Sequence, residues 1–115
     1  MDDFRVSIAL RHPFAIIAVA GELDIATIDQ FRTQVEALLA QEIPRLVFDL
    51  SRLRFIDSGG MQVIFEAYHH LGRGDHVSVC GLTPIVRKVF DVLGLAGQIA
   101  IYPTCEDALS HPVQG

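Results

Sequence analysis

An α/β fold is what the sequence predicts: a mixed, mostly parallel sheet of four to five strands with an antiparallel N-terminal edge, accompanied by about four helices. Two observations carry this. Apolar runs of strand length alternate with longer stretches whose apolar residues recur every three or four positions, in the order β-β-α-β-α-β-α-β-α. The first two runs are joined only by His12-Pro13, too little chain for a parallel crossover, whereas each later pair of runs is separated by a helical stretch.

The elements follow in order. From Phe4 to Leu10, Phe4, Val6, Ile8 and Leu10 share one face and Arg5 and Ser7 the other, as in a strand half exposed to water. Phe14 to Ala20 is continuously apolar and therefore more central, and the short connection makes the pair a hairpin. Gly21-Glu22-Leu23-Asp24 leads to Thr27-Ile28-Asp29-Gln30, a capping-box pattern, after which Ile28, Phe31, Val35, Leu38 and Leu39 recur at helical spacing until Pro44. Leu46 to Leu50 is the third strand. Met61 to Leu71 is an amphipathic helix, with Met61, Ile64, Phe65, Tyr68 and Leu71 on one side and Gln62, Glu66, His69 and His70 on the other. After the Gly72-Arg73-Gly74-Asp75 turn, Val77 to Gly81 is a fourth strand. Thr83-Pro84 starts a helix whose apolar face is Ile85, Val86, Val89, Phe90 and Leu93, stopped by Gly94. Ile99 to Tyr102 is a short strand, and Thr104-Cys105-Glu106-Asp107 opens a last helix that ends before Pro112.

The 115 residues fit one domain, with an ordered core of about 4–110. Half the residues are hydrophobic and the mean hydropathy is +0.37, which argues against disorder. Nine basic against fourteen acidic residues give a net charge of −5, and Lys88 is the only lysine, so nothing favours nucleic acid or an anionic membrane surface. Cys80 and Cys105 are too few for a disulfide scaffold and read as reduced cysteines. Met1-Asp2-Asp3 lacks the basic start of a secretory signal, and Phe14 to Ala20 is too short to cross a bilayer. The expectation is a soluble, cytoplasmic protein.

Ser58 stands out. It lies in Phe55-Ile56-Asp57-Ser58-Gly59-Gly60, at a strand-to-helix turn, beside a carboxylate and before two residues without side chains. A negative charge added there meets the free amides and dipole of a helix start, so Ser58 suits the addition and removal of phosphate. A plainer explanation is that serine caps the helix, a stabilisation of about 1 kcal/mol. That leaves Gly59-Gly60 unaccounted for, since two glycines in a first helical turn cost roughly 0.5–1 kcal/mol each relative to alanine. They make sense where another molecule approaches closely. Val63 falls opposite the apolar stripe on a helical wheel, and with Gly59, Gln62 and Glu66 it outlines a docking face on the wet side.

Rival chemistries fare worse. A serine hydrolase elbow wants glycine two residues before the serine, where this chain has Ile56. His69 and His70 lie roughly 17 Å along the same helix, and His76 precedes a strand that, if parallel, starts at the opposite edge of the sheet. A metal site from His69, His70, Asp75 and His76 is disfavoured because adjacent helical side chains diverge. Arg73-Gly74-Asp75 is better read as a turn than as a recognition tripeptide, and no phosphate-binding glycine loop is present.

Three segments in register resemble the STAS domain family, specifically its stand-alone anti-sigma factor antagonists. Gly21-Glu22-Leu23-Asp24 is similar to the approach to that family's first helix. Val47-Phe48-Asp49-Leu50-Ser51 followed by Phe55-Ile56-Asp57-Ser58-Gly59-Gly60 resembles its phosphorylation loop. Ile85-Val86-Arg87-Lys88-Val89-Phe90 through Gly94-Leu95 resembles its third helix and the turn after it. The resemblance implies a non-enzymatic regulator that binds an anti-sigma factor with serine kinase activity and so frees the sigma factor. The kinase phosphorylates Ser58 and the complex dissociates, and a serine phosphatase restores it. No cofactor is expected on this chain, because ATP and Mg²⁺ belong to the kinase. Gly59 stands where the commoner motif has a second serine, which removes a competing acceptor. The expected partner surface is Gly21, Glu22, Leu23, Asp24, Asp57, Ser58, Gly59, Gly60, Gln62 and Val63. The alternatives are an unphosphorylated STAS scaffold in a membrane transport or lipid-trafficking complex, and a small hydrolase; self-association as a weak homodimer is left open.

Overall fold

The computed structural model describes residues 4–72, 74, 76–94 and 97–110. Strands β1 (Arg5–Arg11), β2 (Phe14–Leu23), β3 (Arg45–Ile56), β4 (Val77–Cys80) and β5 (Ala100–Tyr102) form one sheet in sequence order. β1 pairs antiparallel with β2, from Arg5 opposite Ala20 to Arg11 opposite Phe14, and every later pair is parallel. Helices α1 (Ile28–Leu39), α2 (Ser58–His70) and α3 (Pro84–Val92) make the three parallel crossovers, and α4 (Cys105–Ser110) ends the described chain. The predicted hairpin, element order and helix count are all present.

Alternation along each strand divides the apolar residues between two faces. On one face Ala15, Ile17 and Val19 of β2, Leu46, Phe48 and Leu50 of β3, and Val77 and Val79 of β4 pack against Phe31 and Val35 of α1, Met61 and Ile64 of α2, and Val86 and Phe90 of α3. The rings of Phe31 and Phe48 meet edge-on at 5.9 Å. The other face holds a smaller cluster of Ile16, Val47, Cys80 and Ala108, joined by Phe14, Tyr102, Cys105 and Leu109. Both cysteines are free. Burial, then the neighbouring Cys105 and Asp49, push the Cys80 thiol above its ordinary range. In the native protein Cys80 should therefore resist iodoacetamide, its labelling followed by mass spectrometry becoming rapid only in denaturant.

Several boundaries differ from expectation. The third strand continues six residues past the predicted Leu50 to Ile56, and β2 continues past Ala20 to Leu23. In β3 the buried positions beyond Leu50 are Leu53 and Ile56, spaced by three, because the β2–β3 register shifts between Ala18 and Ala20 and again between Gly21 and Glu22. A bulged ladder hides from a search for period-two alternation. Val6 packs on the core as predicted, but Ile8 is 39% and Leu10 64% exposed on the same face at the sheet's edge. The predicted features at Met1–Asp3, Arg73, Asp75, Leu95, His111 and Pro112 lie outside the described residues. Among those described, no helix is long and apolar enough to cross a membrane.

Candidate functional site

The C-terminal ends of β2 and β3 build the Ser58 turn. β4 pairs with β3 only at Leu46–Asp49, so from Arg52 to Ile56 the β3 extension has β2 alone as partner. Gly21 sits at the second register shift with φ +99°, a backbone angle open to glycine and strained for side-chain-bearing residues. That bulge re-aims the end of β2 so that the Leu23 carbonyl accepts the Asp57 N–H at 3.1 Å. The two strand ends are thereby fastened together one residue before α2 begins.

Asp57, in an extended conformation, is the N-cap of α2, and its carboxylate accepts the Gly60 N–H at 3.0 Å. Ser58 is the first helical residue, exposed, and its hydroxyl has no hydrogen-bond partner among the described residues. Capping therefore does not explain the serine. The neighbouring carboxylate performs that role and leaves the Ser58 oxygen facing solvent.

The loop opposite is tied by Thr27, though not as a capping box. Thr27 Oγ1 accepts the Asp24 N–H at 3.0 Å and donates to the Glu22 carbonyl at 2.8 Å, while Asp24 Oδ1 accepts the Ala26 N–H at 2.9 Å. The hydroxyl is turned back toward the end of β2 and makes no cap bond to α1. Glu22 and Ile25 project outward on this braced loop, Ile25 at 89% exposure.

The predicted partner surface divides accordingly. Glu22, Ser58 and Gln62 are exposed, and Asp24, Asp57 and Gly59 are half-buried. Gly21, Leu23, Gly60 and Val63 are buried. Val63 corrects the helical-wheel reading. α2 packs on the sheet with Met61 and Ile64 and also against α1, and Val63 fills that second interface beside Val35 and Ala67. A wheel drawn for one buried face places such a residue in water. At the rim of the same interface Arg32 Nη1 pairs with Glu66 Oε1 at 2.8 Å, and Gln62 donates to Glu66 Oε2 at 3.3 Å. Gly60 is glycine for a packing reason: a Cβ there would lie 2.7 Å from Leu23 Cδ2 and 2.9 Å from Ile56 Cγ1. These buried residues shape the site from beneath and do not offer side chains to a partner.

The structure adds an exposed apolar surface, of which the sequence reading had placed Ile85, Val89 and Leu93 on the helix's buried face and had not placed Val92. In α3 only Val86 and Phe90 are buried, whereas Ile85 is 62%, Val92 74% and Leu93 46% exposed. Ile85, Val89, Val92 and Leu93 line a concavity of about 360 Å³ that also contains Ser58 and Lys88. The available signal was surplus: apolar residues at 85, 86, 89, 90, 92 and 93 are more than one face of a nine-residue helix can bury.

The described histidines lie far from this chemistry. The His76 carbonyl accepts the Leu46 N–H at 2.7 Å, and His12 precedes β2, where Phe14 opposes Arg45; both are at the N-terminal end of the parallel strands, opposite Ser58. His69 and His70 occupy the last turn of α2. Among the described residues no group of three metal-ligating side chains converges.

Fold and turn together define a domain family, and comparison with known proteins agrees. The chain belongs to the STAS domain family, whose model matches residues 5–108. It is 34% identical over 98 residues to an anti-sigma F factor antagonist of Paenibacillus polymyxa, covering 84% of each chain. Among solved structures, an anti-sigma factor antagonist from Mycobacterium paratuberculosis superposes with a TM-score of 0.88 at 28% identity, covering 95% of this chain and 93% of the other. The anti-sigma factor antagonist SpoIIAA in its unphosphorylated form superposes at 0.74 with 27% identity and 93% of each chain covered. The phosphorylated form of the Bacillus protein superposes at 0.68 with 25% identity, over 93% of this chain and 96% of the other.

Proposed function

We propose that this protein is an anti-sigma factor antagonist whose grip on an anti-sigma factor with serine kinase activity is released by phosphorylation of Ser58. The observation that carries the reading is the Ser58 hydroxyl, exposed and unengaged among the described residues while Asp57 caps the helix. The names of the relatives support the regulatory class, and SpoIIAA, itself known in both states, supports a phosphate switch on this scaffold. In the transfer step Ser58 Oγ attacks the γ-phosphorus of partner-bound ATP. The new O–P bond forms as the bond to ADP breaks, and the hydroxyl proton passes to a base on the partner. Hydrolysis by a serine phosphatase reverses the modification.

The phosphate adds about −1.5 to −2 charges at the start of α2, where free amides and the helix dipole accommodate it. Its effect falls on the complex, because it borders the apolar wall of Ile85, Val89, Val92 and Leu93. In the unmodified protein that wall, with Glu22, Asp24 and Gln62, receives the anti-sigma factor. Val92→Asp should weaken this complex about tenfold by calorimetry, the range expected for losing one apolar contact of ~1.4 kcal/mol. Its midpoint of thermal unfolding should stay within a few degrees of the parent, Val92 being exposed.

The deciding experiment incubates the protein with the anti-sigma factor kinase of its own genome and Mg-ATP, then maps phosphate by mass spectrometry. One phosphate at Ser58, absent from Ser58→Ala, is the expected result. An unmodified Ser58 together with an unchanged partner affinity in Ser58→Asp would favour an unswitched scaffold instead.

A further inference from the structure

Ser58 shares its concavity with one other polar side chain, and that side chain is the chain's only lysine. The remaining lining residues, Ile85, Val89, Val92 and Leu93, are all apolar. On the same helix Arg87 faces Asp91, with 3.6 Å between Nε and Oδ1. Lys88 makes no hydrogen bond or ion pair among the described residues. A lysine and the hydroxyl proposed to receive phosphate thus line the same, otherwise apolar depression.

We propose that Lys88 is the intramolecular receptor for the Ser58 phosphate, closing over the depression to form a phosphoserine–ammonium pair between α2 and α3. This rests on the phosphorylation of Ser58 proposed above. A lysine binds a phosphate monoester as a mobile point charge and needs no fixed fork geometry, which suits an exposed stem reaching over apolar ground. The apolar walls remove competing water from one side and strengthen the pair relative to open solvent. The consequence reaches the partner surface: the captured phosphate and the lysine stem occupy the depression that an apolar side chain of the partner would otherwise enter. Modification then blocks the surface sterically as well as by charge.

The other charged groups at this end of the sheet are shared by every variant below. Asp57, held by the Gly60 N–H, and the exposed Glu22 at the end of β2 oppose the dianion, Asp24 is turned to the Ala26 N–H, and Arg54 already has another interaction. The test uses the full chain with phosphoserine installed at position 58 by semisynthesis, so it does not depend on any kinase. The second ionisation of the phosphate, ordinarily near pH ~6, is followed by ³¹P NMR at low salt. Lys88→Gln should raise that value by about half a unit, a threefold change in proton affinity. Lys88→Arg should restore most of the difference, and 1 M salt should erase it. Identical titrations for the parent and Lys88→Gln phosphoproteins would overturn the pairing while leaving Ser58 intact as an acceptor. A kinase that never modifies Ser58 would instead overturn the functional reading, with the titration still reporting on Lys88.

Discussion

Phosphorylated at Ser58, the protein should bind its anti-sigma factor about a hundredfold or more weakly than the unmodified form, with the domain still folded. The magnitude follows from desolvation. Even with Lys88 pairing one of its charges, the phosphate keeps up to about one further negative charge, and leaving that charge uncompensated against a partner costs roughly 3–5 kcal/mol, approaching the ~5.5 kcal/mol that turns a complex from 99:1 bound to 99:1 free. Ser58 borders an almost wholly apolar depression, so a partner seated there would have to cover the new charge. The fold tolerates the charge because the first helical residue faces outward and the cap bond belongs to Asp57.

Two substitutions separate the switch from the scaffold. Ser58→Ala should bind like the parent, stay bound in the presence of Mg-ATP, and unfold within about 0.5 kcal/mol of it, because the lost hydroxyl has no partner among the described residues. Ser58→Asp carries one charge where the phosphate carries nearly two, so its affinity should fall between the two forms. Calorimetric titration of the four proteins against the same anti-sigma factor decides the matter. Equal affinity across the series removes the switch.

The Ser58 turn was legible because its signals are local. A carboxylate, a hydroxyl and two glycines between a strand and a helix mark an open helix start without any tertiary information. What escaped were consequences of packing partners. Val63 was placed in water because a wheel assumes one buried face, and α2 has two neighbours. Ile85 and Leu93 were placed in the core because the same assumption gives a short helix a wider buried stripe than its sheet contact provides. The end of β3 was lost to bulges that break its alternation. Capping by Ser58, weighed as the plainer explanation, gives way to Asp57 one residue earlier; both types cap well, and the choice depends on where the strand releases the chain. The misplacements of Val63, Ile85 and Leu93 exchanged buried for exposed without moving an element of the fold. That is why the Ser58 turn lies between β3 and α2 as expected while the set of exposed residues around it changed.

Gly60→Ala should destabilise the protein by about 2 kcal/mol, against the direction that helix propensity alone predicts. Alanine in place of a helical glycine stabilises an unhindered helix by about 0.5–1 kcal/mol. Here the added methyl would sit 2.7 and 2.8 Å from Leu23 Cδ2 and Cγ and 2.9 Å from Ile56 Cγ1. Leu23 is 0% and Ile56 1% exposed, so neither can swing aside into solvent, and overpacking of this kind costs typically 1–3 kcal/mol or more. Relief by displacing α2 would also strain the 3.1 Å bond from Asp57 N–H to the Leu23 carbonyl, which fastens the turn. Gly59 provides the contrast. A Cβ there would approach only Asp57 Oδ1, at 3.3 Å, on the half-buried outer side of the same turn, so Gly59→Ala should change stability by less than about 1 kcal/mol. Urea unfolding of the two variants beside the parent measures both. A Gly60→Ala protein as stable as the parent would mean that the Leu23–Ile56 floor yields readily. The glycine would then have to be explained by what approaches from outside.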